Sequence, residues 1–284
     1  MIRLDAATVL LQWAVGGLLF LWVTTRGREV GIGYGWLVRA TYLVMAVGAA
    51  AVGAWLDPVP VREVSALAVA VAAGVALAVS VVRRKAGVAG ERALRDRRRA
   101  RVSAMTGIDR RPDGPDRSGP EYPPSLDLVA PLVGVPGLVA AGVAAGDPVL
   151  LSVARVLVGA AFLGSVSDGM LLGHWYLVQP GLARRPLLEL VRWTGLIWPL
   201  EIVVLLWPRG MASVLVGTVD DGYNGMLGWF WVACAVATIV LVVVTRAALR
   251  ERYYSAVMAA TGLLYLAILT AFGTDLVARA VLAG

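Results

Sequence analysis

Residues 149–185 read VLLSVARVLVGAAFLGSVSDGMLLGHWYLVQPGLARR. From Val149 to Leu177 the stretch is apolar apart from Arg155, Asp168, His174 and a few hydroxyl groups. At 1.5 Å rise per residue a helix of that length crosses a hydrocarbon core of about 30 Å. Arg184 and Arg185 follow, and paired arginines after an apolar helix mark the cytoplasmic end of a membrane span.

The rest of the chain repeats this pattern. Hydrophobic residues are 59% of the total, charged residues 16%, and mean hydropathy is +0.76. A soluble domain would need far more polar surface. Apolar runs fall at residues 7–24, 35–56, 64–82, 126–146, 149–177, 187–207, 223–245 and 253–274. Each must be helical, because lipid satisfies no backbone hydrogen bonds. The expected fold is therefore an all-α polytopic membrane protein with eight transmembrane helices. Residues 1–82 hold helices 1–3, residues 83–124 a basic cytoplasmic loop, and residues 125–284 helices 4–8. The N-terminal run lacks a small-residue cleavage site and is read as a retained first helix.

The net charge of +7 does not indicate nucleic-acid binding, because the arginines lie in the connections where membrane topology requires them. Segments 25–34, 83–124, 178–186 and 246–252 are basic. They alternate with connections carrying Asp57 and Glu63, Asp147, Asp220 and Asp221, and Asp275. The basic set is expected in the cytoplasm, which places both termini outside and requires an even number of spans. Lys85 is the only lysine among 26 basic residues, a bias that resembles coding by a GC-rich bacterium, so the expected location is a bacterial plasma (inner) membrane. Within 83–124 the first part suits an interfacial helix on anionic headgroups, and the second part, rich in Pro, Gly and Asp, suits irregular structure. This loop is a solvated connector or a docking site for a cytoplasmic partner.

An internal duplication is one reading of the match when FLWVTTRGREVGIGYGWLVRAT (20–41) is set over GHWYLVQPGLARRPLLELVRWT (173–194), although the later spans do not keep the same offset. Trp22 falls on Trp175, and Leu37, Val38, Arg39 and Thr41 fall on Leu190, Val191, Arg192 and Thr194. Four spans per half would give two parallel repeats.

Several chemistries are excluded. His174 is the only histidine and Cys234 the only cysteine. They cannot supply a bis-histidine haem, covalent haem, or a conventional zinc or copper site. Lys85 lies in a loop, so no retinal Schiff base forms inside the bundle. No phosphate-binding glycine loop and no His-Glu-x-x-His are present. Ser165 and His174 lie about 13 Å apart along one helix, too far for a nucleophile and base. With no such pair visible, the chain is expected not to be an enzyme on its own.

Polar groups inside the bilayer then become the candidates, because each costs several kcal/mol unless it pairs or functions. Asp168 and Glu201 are expected near the midplane on consecutive antiparallel helices. His174, Tyr176 and Arg192 lie nearer the cytoplasmic surface and could present donors to a quinone headgroup. Arg155 is expected near the outer interface. Arg39, Trp175 and Pro199 are structural candidates: Arg39 and Arg192 as arginines snorkelling to the interface, Trp175 as part of an aromatic belt, and Pro199 as a kink beside Glu201.

The favoured functional expectation is an accessory or anchor subunit of a larger complex, of respiratory type and handling quinone or protons, without its own haem or metal. Eight helices in two halves resemble, in architecture alone, the NrfD-type quinone-interacting membrane subunits, and no motif is shared residue by residue. The expected partners are the lipid bilayer and other membrane subunits, and a bound quinone or lipid is the only ligand considered. Two alternatives fit the same residues: a small proton-coupled secondary transporter, and a non-catalytic assembly factor acting through its loop.

Overall fold

The computed structural model describes residues 4–106, 119–179, 182–208 and 210–283, and among these it is helical with no strand. The helices are α1 (Ala6–Thr25), α2 (Ile32–Leu56), α3 (Pro60–Val82), α4 (Ala89–Thr106), α5 (Val129–Ala144), α6 (Val149–Val178), α7 (Arg185–Leu206), the short α8 (Met211–Leu215), α9 (Met226–Arg250) and α10 (Tyr254–Leu282). Seven of the long helices (α1, α2, α3, α5, α6, α9 and α10) are long and apolar enough to cross a membrane. The protein thus has the make-up of a multi-pass helical membrane protein. The remaining expected span, α7, forms a helix of 22 residues but is not among the seven. Its sequence carries Arg185, Glu189, Arg192 and Glu201.

Local chemistry sets the helix starts. The Asp5 carboxylate accepts from the amides of Ala7 (3.1 Å) and Thr8 (3.2 Å) and so caps α1. Pro60 occupies the first turn of α3, where its missing N–H costs nothing. One boundary differs clearly from the sequence expectation. The last helix does not stop at residue 274 but runs to Leu282, so Asp275 is a helix residue and not part of a connection. No Gly or Pro interrupts 274–282, and Asp275 and Arg279 pair four residues apart, which favours continuation. Within the basic segment α4 forms in the first part, where the sequence suits a helix. Residues 107–118, most of the stretch expected to be irregular, lie outside the described residues.

The long helices pack as two rings. In the first, α1 packs on α2, α2 on α3, α3 on α5, and α5 returns to α1. In the second, α6 packs on α7, α7 on α9, α9 on α10, and α10 returns to α6. The rings meet chiefly where α1 crosses α6. Gly16 and Gly164 make that crossing possible: a Cβ on Gly164 would lie 2.1 Å from the Gly16 carbonyl carbon, and one on Gly16 would lie 1.8 Å from the Ala160 oxygen. Backbone touches backbone there, the close approach that small residues permit between membrane helices.

Polar contacts sort the connections to two ends. Asp5 pairs with Arg62, and Arg62 donates to the Asp57 carbonyl (2.6 Å), which gathers the start of α1 and the α2–α3 connection at one end. At the other end Arg26 pairs with Glu189, Arg28 with Glu121 (3.1 Å) and Arg185 with Glu29 (3.4 Å). Arg184 donates there to the carbonyls of Arg252 (3.1 Å) and Tyr253 (2.9 Å). These are the acidic-loop end and the basic-loop end.

Candidate functional site

Two buried polar centres lie on the second ring, at different heights. The first surrounds Glu201, five residues before the end of α7 and so near the acidic-loop end. Its side chain is fully buried, and no hydrogen-bond donor among the described residues faces either carboxylate oxygen. The charged groups acting on it are Asp275 and Arg279 of α10 and Arg155 of α6. Asp275 and Arg279 form a fork (2.6 and 3.1 Å), both side chains almost wholly inaccessible. Arg155 donates through Nε to the Val204 carbonyl (2.7 Å), while its Nη2 has no acceptor among the described residues. Gln12 of α1 donates to the Val156 carbonyl (2.6 Å), and its own oxygen receives no donor among those residues. Gly159 leaves the space in which Gln12, Asp275 and Arg279 converge, since a Cβ there would lie 2.9 to 3.4 Å from polar atoms of all three.

This centre adjoins a narrow crevice of about 10 Å³, room for a single water, lined in part by Asp5, Thr8, Asp57, Arg62, Val156 and Arg279. Arg279 is common to both, so the buried carboxylates are one side chain away from a surface at the acidic-loop end.

The second centre is Asp168, ten residues before the end of α6 and so towards the basic-loop end. It too is fully buried. Tyr42 of α2 donates to Oδ1 (2.7 Å), Tyr34 donates to the Asp168 backbone carbonyl (3.4 Å), and Oδ2 has no donor among the described residues. The Tyr42 phenol reaches α6 across Gly17 of α1, where a Cβ would sit 1.9 Å from the ring. Trp13 closes the same region by donating to Ser167 (2.7 Å).

Asp168 and Glu201 therefore belong to separate centres at different heights along the bundle. The three residues considered for a quinone headgroup also diverge. His174 is exposed, with Nδ1 2.9 Å from the Tyr265 hydroxyl. Tyr176 is buried, and its hydroxyl donates to the Ala183 carbonyl (2.5 Å). Arg192 and Pro199 are exposed on α7. Trp175 is half-buried, donates to Gln179 (3.1 Å) and packs against Tyr34 at 6.3 Å.

Arg39 requires a correction. Expected to snorkel, it is 1% exposed and forms a bidentate ion pair with Asp127 (2.7 and 2.8 Å). Asp127 also accepts from Tyr122 (2.7 Å) and Thr25 (2.9 Å), and the Arg39 guanidinium lies 4.3 Å from the Tyr122 ring centre. Burial, then the Asp127 charge, push the Tyr122 phenol well above its ordinary value. Arg155, expected at an interface, is 2% exposed.

Sequence reasoning missed Asp127, Asp275, Arg279 and Gln12 as partners. Asp275 and Arg279 carried a usable signal, because they stand four apart in a stretch free of helix breakers. Among the described residues no cluster of three or more His, Cys, Asp or Glu side chains could hold a metal ion. Comparisons with known protein families, curated proteins and solved structures give no match to this chain.

Proposed function

We propose that the protein is a proton-handling subunit of a larger membrane complex. Glu201 is its proton-binding group. The observation that carries this reading is the buried Glu201 carboxyl with no donor facing it, set beside Asp275 and between Arg155 and Arg279. Asp275 is already held by Arg279, so its charge is matched. Glu201 has no such fork, and a proton is the smallest ligand that completes its hydrogen bonding. Intramembrane carboxyl groups of this kind are costly and mark proton or ion pathways.

In this reading α7 is the eighth span. The two four-helix rings are parallel repeats related by an axis along the membrane normal. The basic-loop end faces the cytoplasm of a bacterium, and both termini lie outside. Quinone binding by His174, Tyr176 and Arg192 is less favoured, because these side chains point into different surroundings. The crevice reaching Arg279 favours a second reading, a proton-coupled carrier, which needs such an access path.

Infrared difference spectroscopy of the purified protein across pH tests the core of the proposal. A carboxyl C=O signal present in the protein and absent from Glu201→Gln is expected. Identical difference spectra would sink it. Purification from the native membrane in gentle detergent tests the setting: stoichiometric partner subunits support the complex, whereas elution alone moves the assignment to the carrier.

A further inference from the structure

We infer that a proton path runs the length of the bundle along the α6–α7 seam, from Glu201 through the hydroxyl pair Thr194–Ser165 to Asp168. This rests on the proton-handling reading of Glu201 and adds the route and its two ends. Thr194 and Ser165 are both fully or almost fully buried, and the Thr194 hydroxyl lies 3.1 Å from that of Ser165. They form the hydrogen bond between two side chains that joins α6 to α7 within the described residues; Ser165 also donates to the Phe162 carbonyl (2.9 Å), and the Thr194 hydroxyl lies 3.1 Å from the Leu190 carbonyl.

The register of the two helices orders the groups. Arg155 meets Val204, and Ser165 meets Thr194, as expected of antiparallel neighbours. From the acidic-loop end the order is therefore Arg279 and Asp275, then Glu201, then Thr194 with Ser165, then Asp168. Ser165 and Asp168 are three apart, hence about 4.5 Å along the axis and on neighbouring faces. Asp168 hands on to Tyr42 and to Tyr34, which stands in the first turn of α2 at the basic-loop end. Hydroxyl groups serve this purpose because each can donate and accept at once.

The longest step separates Glu201 from Thr194, seven residues and about 10.5 Å. The two share a face of α7, and the Glu201 side chain leans towards the helix N-terminus and shortens the gap. The same seam in the first half, read through the duplication, has Gly48 and Val15 where this one has Glu201 and Asp168. The two carboxyl groups of the path therefore belong to the second ring alone.

The test is proton flux into proteoliposomes under an imposed membrane potential, read with a pH-sensitive dye inside. Wild type is expected to conduct, and Glu201→Gln and Asp168→Asn to abolish conduction. Ser165→Ala and Thr194→Val should each lower it about a hundredfold, the scale of losing a positioned proton-transfer group. Thr194→Ser, which restores a hydroxyl, should recover most of the loss. The infrared signal of Glu201 must persist in the hydroxyl variants, which shows that the site is still folded. Flux that depends on Glu201 but is untouched by Ser165→Ala and Thr194→Val would overturn the path and leave the role of Glu201 standing. No wild-type flux above protein-free vesicles would also overturn the path, while the infrared signal still decides the proton-binding role.

Discussion

Replacing Arg39 by methionine separates a buried ion pair from a snorkelling arginine. In the structure Arg39 gives Asp127 two charge-assisted bonds of 2.7 and 2.8 Å, with side-chain exposures of 2% and 0%. Removing the guanidinium leaves a buried carboxylate with only the neutral donors Tyr122 and Thr25. Stranding one partner of a buried pair costs roughly 3–5 kcal/mol. An exposed interfacial arginine would cost about 0–1 kcal/mol. The gap is wide enough to resolve by equilibrium unfolding in mixed micelles with a denaturing detergent, followed by tryptophan fluorescence and helix content. The paired change Arg39→Met with Asp127→Leu should recover most of the loss, because two apolar groups replace two matched charges. A single variant costing less than about 1 kcal/mol would refute the buried pair. So would a double variant no better than Arg39→Met.

Three further outcomes follow from the packing and the loops. Gly164→Val places a side chain on the Gly16 backbone, so α1 and α6 must separate; a loss above the usual overpacking cost of about 1–3 kcal/mol is expected in the same unfolding assay, and a neutral result would remove the backbone contact as an organising feature. Tyr42→Phe takes the only side-chain donor among the described residues from a fully buried Asp168 and should cost about 1–3 kcal/mol, while Tyr265→Phe at the exposed His174 contact should fall within about 0.5 kcal/mol of wild type. The Asp221 carboxyl is raised by partial desolvation, but amide donors at Tyr223, Gly225, Leu227 and Gly228 outweigh this and hold it below its ordinary value. Its stabilisation is then present above the unfolded carboxyl value of about 3.9 and is lost as pH falls through the lower folded value, so amide exchange at 223–228 should quicken in acid in wild type and not in Asp221→Asn.

The apolar helices were legible in the sequence because lipid imposes one rule: a long run without interruption must be helical. The sorting of connections was legible because arginine and aspartate segregate along the chain, and their side chains do meet within each end. Partner choice was not legible. Arg39 and Asp127 are far apart in sequence, and a lone arginine near a span end looks the same whether it snorkels or is buried. Glu201 and Asp168 were singled out by their cost, but their height could not be judged from one end of each helix. Depth counted from residue 187 places Glu201 deep in the bilayer. Its neighbours Arg155 and Asp275, read together, place it near the opposite end.

The two halves handle buried charge differently, and this difference bears most directly on function. In the first ring each buried cation has a carboxylate within reach: Arg39 with Asp127, and Arg62 with Asp5 and Glu63. Matched pairs of that kind hold helices in register, and the adjoining guanidinium favours the charged carboxylate, even though Glu63 Oε2 has no donor among the described residues. In the second ring Asp275 and Arg279 are matched in the same way. Glu201 and one oxygen of Asp168 are not matched, although both are fully buried. A structural ion-pair network would be expected to close on itself, because a buried unsatisfied group destabilises the fold and offers packing nothing in return. Two open carboxyl groups, at different heights and with the Thr194–Ser165 hydroxyl bond between those heights, are an arrangement in which a proton can be the missing partner at one height and then the other.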